Sequence, residues 1–127
     1  MQEKNLYEYA VIRVVPRVER EEFLNVGIIL FCKKAKFIKV LHKVPVEKIL
    51  SLSAEADVDQ IQANIFAFEK VGQGTKDGGP IALMDIPSRF RWLTALRSSV
   101  IQTSRPHPGL CDDLEQTAQR LFDDLVL

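Results

Sequence analysis

A chain of 127 residues, 46% hydrophobic and 27% charged, has the composition of one globular domain, and residues 1–127 are expected to share a single core. Seventeen Lys plus Arg balance 17 Asp plus Glu, so the net charge of zero gives no general pull toward nucleic acid or a membrane, and neither is expected as a partner. The apolar runs reach only about six residues against the roughly 20 that span a bilayer, Cys32 and Cys111 make no disulfide framework, and no cleavable leader pattern opens the chain, which together predict a cytoplasmic protein.

The charges are nonetheless sorted into blocks. Residues 23–46 carry Lys33, Lys34, Lys36, Lys39 and Lys43 without an acid, and residues 86–111 carry Arg89, Arg91, Arg97 and Arg105 without an acid, whereas 47–85 and 112–127 are each net acidic. Either acidic helices lie beside the basic segments and neutralise them within the fold, or the basic blocks form an anion-binding face.

In chain order, the β-branched and aromatic run from Leu6 to Val15 predicts a strand, stopped by Pro16, which cannot donate to a ladder. After a polar connector over 17–22, Phe23 to Cys32 is apolar on both alternating faces and reads as a central strand, with Gly27 marking a bulge or a close backbone approach. A lysine-bearing turn leads to a third strand, Phe37 to His42, completing an antiparallel meander. Helix begins near Pro45, a residue suited to a first turn. A longer helix carries Val58, Ile61, Ile65 and Phe68 at three- and four-residue intervals, capped by Asp57 and ended by Gly72 and Gly74. Residues 72–80 read as a flexible loop without the GlyLysSer or GlyLysThr of a phosphate loop.

Asp85 can cap a helix over Ile86 to Arg97, in which Ile86, Phe90, Leu93 and Arg97 share a stripe and put Arg97 at the edge of the core. A short strand, Ser99 to Thr103, and a Pro-punctuated loop, Ser104 to Leu110, follow. The last helix places Leu114, Ala118, Leu121 and Leu125 on one face behind Asp112 and Asp113.

The 86–111 block also holds the only Trp, one of two His and one of two Cys. His107 and Cys111 have the spacing of a zinc half-site, but Cys32 and His42 do not form the other half, so no metal and no cofactor is expected. Cys111 with His107 as base, or Ser98 or Ser99 with His107 and Asp112, would supply nucleophile and base types, yet no GlyXaaSerXaaGly turn is present and no catalytic residue is assigned. The arginines either cap and solvate the fold, with Arg97 on its helix C-terminus, or form a fork-shaped donor set for phosphate or carboxylate beside Trp92.

YEYAVIRVVP, EEFLNVGIILF (Glu21 to Phe31), RFRWLTALRSSVIQTSRPHPGL (Arg89 to Leu110) and RLFDDLV (Arg120 to Val126) together resemble the bacterial family called domain of unknown function 3037, over nearly the whole chain. The resemblance implies a small stand-alone protein, in some members encoded beside a kinase-like protein of the persistence-toxin type, and hence a protein partner. It carries no activity, cofactor or catalytic residue across.

The expected fold is therefore α+β, a mainly antiparallel meander sheet packed against two or three helices. The expected function is a non-enzymatic binding or regulatory module that contacts an anionic ligand or an acidic partner protein through Arg89, Arg97, Gln102, Arg105 and His107. The alternative is an enzyme of nucleotide or phosphoester chemistry using the same arginines as an anion clamp.

Overall fold

The computed structural model describes residues 4–95, 97 and 99–127. The three N-terminal strands form as the pattern predicts: β1 (Asn5–Val14), β2 (Leu24–Cys32) and β3 (Phe37–His42), each antiparallel to the next. Four helices follow, α1 (Val46–Leu52), α2 (Val58–Gln73), α3 (Ile86–Leu93) and α4 (Leu114–Leu125), with two short strands, β4 (Ile101–Thr103) and β5 (His107–Cys111), between the last two. The five-stranded sheet runs β3-β2-β1-β4, with β5 also on β1, so both β1 and β2 are interior. No helix among the described residues is long and apolar enough to cross a membrane.

Alternation along the strands divides the core between two sheet faces. Ala10, Ile12 and Val14 of β1 and Ile29 and Phe31 of β2 meet Ile49 of α1, Ile65 and Phe68 of α2 and Phe90 and Leu93 of α3. The opposite face, with Tyr7, Ile28, Leu30 and Cys32, is covered by Leu114, Ala118, Leu121 and Phe122 of α4. Such double coverage explains why β2 reads as apolar on both alternating faces. One contact joins a basic and an acidic block: Glu115 of α4 reaches Lys39 of β3 at 3.3 Å.

Gly27 meets both of its expected requirements. The register passes from Ile12 opposite Gly27 to Arg13 opposite Asn25, leaving Val26 as the extra residue of a bulge, and a Cβ at Gly27 would strike the Leu41 carbonyl of β3. At α2, Asp57 accepts from the Gln60 amide at 3.0 Å as its cap, and Gly74 closes the helix at φ 71°. Gly72 does not end it but lies buried within its last turn. The stretch expected as a flexible loop contains a 3₁₀ turn at Lys76–Gly78, with a second at Ile81–Leu83 just beyond it.

Two expectations are corrected. The helix capped by Asp85 ends at Leu93 rather than Arg97: the Thr94 amide and hydroxyl both close on the Phe90 carbonyl, at 3.0 and 2.8 Å, and the Trp92 carbonyl accepts from the Arg97 side chain. Arg97 thus lies beyond the helix, not on its apolar stripe. The Pro-punctuated segment after Ser104 is not a loop throughout, since His107–Cys111 pairs with Asn5–Tyr9. Pro108 is tolerated there because β5 is an edge strand, and Gly109 leaves room for the Tyr7 ring, which a Cβ would strike.

β4 and β5 share one edge of β1, opposite Ile12–Val14 and Asn5–Tyr9 respectively. Buried Ser104 bridges the interval between them. Its amide donates to the Val11 carbonyl at 2.8 Å, and its hydroxyl accepts from the Val11 amide at 2.9 Å, replacing the missing main-chain acceptor. Ser104→Ala is expected to cost about 1–3 kcal/mol by stranding that amide. Chemical denaturation checks it, and an unchanged midpoint at constant slope would show that the bridge contributes nothing.

Candidate functional site

The folded chain separates the four arginines of the 86–111 block into four environments. Arg91 is committed to Glu8 of β1 through a two-pronged pair at 3.1 and 2.6 Å. Arg89 serves the fold at the other end of α3: its Nη1 donates to the Met84 carbonyl at 2.7 Å, and a Cβ on Gly74 would come within 3.0 Å of its Cζ. That placement ties α3 to the C-terminus of α2, where a cation is favoured by the helix dipole. Asp85, at the start of the same helix, accepts from the Ser88 amide at 2.8 Å, and the Ser88 hydrogen bonds hold its carboxyl below the usual range.

Arg105 is exposed on the link between β4 and β5, its carbonyl accepting from the Ser104 hydroxyl at 3.0 Å. His107, on β5 directly opposite Tyr9, tilts its ring against that side chain at 5.4 Å. Cys111 lies four residues further along the same strand, roughly 13 Å away at the usual strand rise, with the Tyr7 ring over Gly109 between them. His107 and Cys111 therefore do not meet, either as base and nucleophile or as two ligands of one ion. Ser99 donates to the Ile101 carbonyl at 2.6 Å. Ser98 lies outside the described residues.

Arg97 and Gln102 are brought together. Arg97 folds back over Trp92, its Cζ 4.4 Å from the ring centroid, and donates to the Trp92 carbonyl, so it caps the helix it does not belong to. Gln102 of β4 is fixed by donation to the Ser99 carbonyl at 2.8 Å and stands opposite Arg13 of β1. With Val18, these two residues form the shared boundary of adjoining hollows. One, of about 480 Å³, lies between α2, α3 and β4, with Phe68, Val71, Leu93 and Ile101 in its wall and Trp92 at its side. The other, of about 590 Å³, is lined by Arg13, Glu21 and Phe23. Both volumes fall in the range of small-molecule sites, about 300–1,000 Å³.

Arg13, Glu21 and Phe23 have no place in the sequence-based site. Arg13 stacks at 4.2 Å over the Phe23 ring, and its buried Nε has no hydrogen-bond acceptor among the described residues. One signal was present: Arg13 is the sole charge in the apolar run between Tyr9 and Pro16. Among the described residues Arg17, Arg20 and Arg91 each pair with a carboxylate, whereas Arg13 and Arg97 hold aromatic faces instead.

Fold and cleft together define a small α+β domain whose helix-covered antiparallel sheet carries a cationic recess along the β4 edge. The chain belongs to the family described as protein of unknown function (DUF3037), whose model matches residues 9–126. Neither a curated protein nor a solved structure matches it.

Proposed function

We propose that the chain is a non-enzymatic binding or regulatory module that receives an anionic ligand, or an acidic group of a partner protein, at the recess where Arg97 and Gln102 meet. One observation carries this reading: Arg97 and Arg13 border a common hollow, and neither has a carboxylate partner among the described residues. A guanidinium held on an aromatic face keeps most of its N–H donors for an incoming anion. The alternative, an enzyme of nucleotide or phosphoester chemistry, has less support. An acid or base beside the arginines would have to come from Glu21, the sole carboxylate lining either hollow among the described residues.

Melting temperature measured with octanoate, inorganic phosphate, adenosine diphosphate and a hexaglutamate peptide, each at low and high salt, tests the proposal. At least one is expected to stabilise the protein, by about 2.7 kcal/mol at 100 times its dissociation constant, less so at high salt. Arg97→Gln is expected to remove the shift relative to its own unliganded midpoint. Arg105→Glu, outside the recess, leaves a small ligand's shift intact and weakens only hexaglutamate. Absence of any shift, or equal shifts in Arg97→Gln, would overturn the assignment.

A further inference from the structure

The two hollows differ in chemistry, and the difference specifies a ligand more narrowly than charge alone. The hollow between α2, α3 and β4 is walled mainly by apolar side chains, Phe68, Val71, Leu93 and Ile101 among them, with Asn64 and Thr103 among the polar exceptions. Across the Arg97–Gln102 boundary, the second hollow carries Arg13 and Glu21. Two guanidiniums and one carboxylate leave a single positive charge, which one negative charge neutralises and a phosphate dianion exceeds. An apolar chamber opening onto a singly cationic one matches a molecule with the same division.

Resting on the proposed anion site, we infer that the recess takes a small amphipathic monocarboxylic acid. Its carboxylate sits at the boundary on Arg97, Gln102 and Arg13, and its hydrocarbon body fills the chamber beside Phe68 and Leu93. The carboxylate oxygens accept from the guanidinium forks and from the Gln102 amide, an arrangement planar groups satisfy in pairs. The hydrocarbon gains by leaving water for an apolar wall, and the two gains reinforce each other because each fixes the position of the other group. Trp92, 42% exposed against Arg97, lines the apolar side of that boundary.

Calorimetric titration of the full chain with octanoate, phenylbutyrate, acetate, octanamide and inorganic phosphate tests this. Octanoate or phenylbutyrate is expected to bind at least tenfold tighter than acetate, phosphate and the neutral octanamide. Arg97→Gln and Arg13→Gln should each weaken the preferred acid at least tenfold while leaving octanamide unchanged. Ala67→Trp, at an exposed α2 position on the apolar chamber, should weaken the long acid without altering acetate. Circular dichroism establishes that each variant is folded. If acetate or phosphate binds as well as octanoate and phenylbutyrate, and Arg97→Gln abolishes it, the amphipathic assignment is wrong while the anion site stands. Should octanamide equal octanoate, or no acid bind at all, the amphipathic assignment fails, and the anion site fails with it only if phosphate, adenosine diphosphate and hexaglutamate also leave the melting temperature unchanged.

Discussion

Phe90→Ala is expected to lower stability by about 3–5 kcal/mol, the upper range for truncating a buried side chain. The Phe90 side chain has no exposed surface and stacks on Phe31 with centroids 4.8 Å apart and planes inclined by 22°. Its ring joins α3 to the centre of β2, so removing it leaves a void bounded by both the sheet and the helix. Collapse is restricted because Ile29 of β2, Ile65 of α2 and Leu93 of α3, in the same cluster, are themselves fully or almost fully buried. Denaturant unfolding should show the midpoint falling at nearly constant slope. Trp92→Ala, two residues along on the partly exposed side, should cost far less. Similar losses for the two would mean that α3 is not seated as described.

Gly27→Val is expected to cost about 3 kcal/mol, the upper end for overpacking. The obstruction is the backbone carbonyl of Leu41 rather than a side chain able to rotate away, and the His42 Cβ is only 3.1 Å from where the first added carbon would lie. Relief therefore requires separating β2 from β3, which lengthens ladder hydrogen bonds beside the bulge. Gly27→Ala should show a smaller fraction of the same loss. A Gly27→Val protein within 1 kcal/mol of the wild type in a denaturant titration would remove the close-approach explanation.

The elements that were legible in the sequence are those whose pattern is local. β1, β2 and β3 announce themselves by apolar runs between turns, and α2 and α4 by their repeating apolar faces. Gly27 was readable because a glycine inside a strand has few explanations. β5 was not, since Pro108 and Gly109 carry loop signals and only pairing with β1 makes a strand there acceptable. Arg97 was misplaced because helical phase says which face a residue would occupy if the helix continued, not where the helix ends.

The candidate site was legible in part for the same reason. Arg97 and Gln102 lie five positions apart and were both named from their segment. Arg13 comes from the opposite end of the chain and joins them only because β4 is laid along β1. The separate roles of Arg89 and Arg91 depend on Met84, Gly74 and Glu8, partners that no spacing rule identifies.

The Ser104 bridge also bears on how the chain is made. Its hydroxyl and Val11 are 93 positions apart. At ordinary translation speeds β1 therefore waits roughly 5–20 s after synthesis for the segment that covers its second edge. During that interval β1 can pair with β2, but the other side of LYEYAVIRVV presents an unpaired row of amides and carbonyls on a strongly β-forming segment. The nascent protein is then most exposed to strand-to-strand association with its neighbours, and a truncated chain ending before residue 100 would keep that edge open indefinitely.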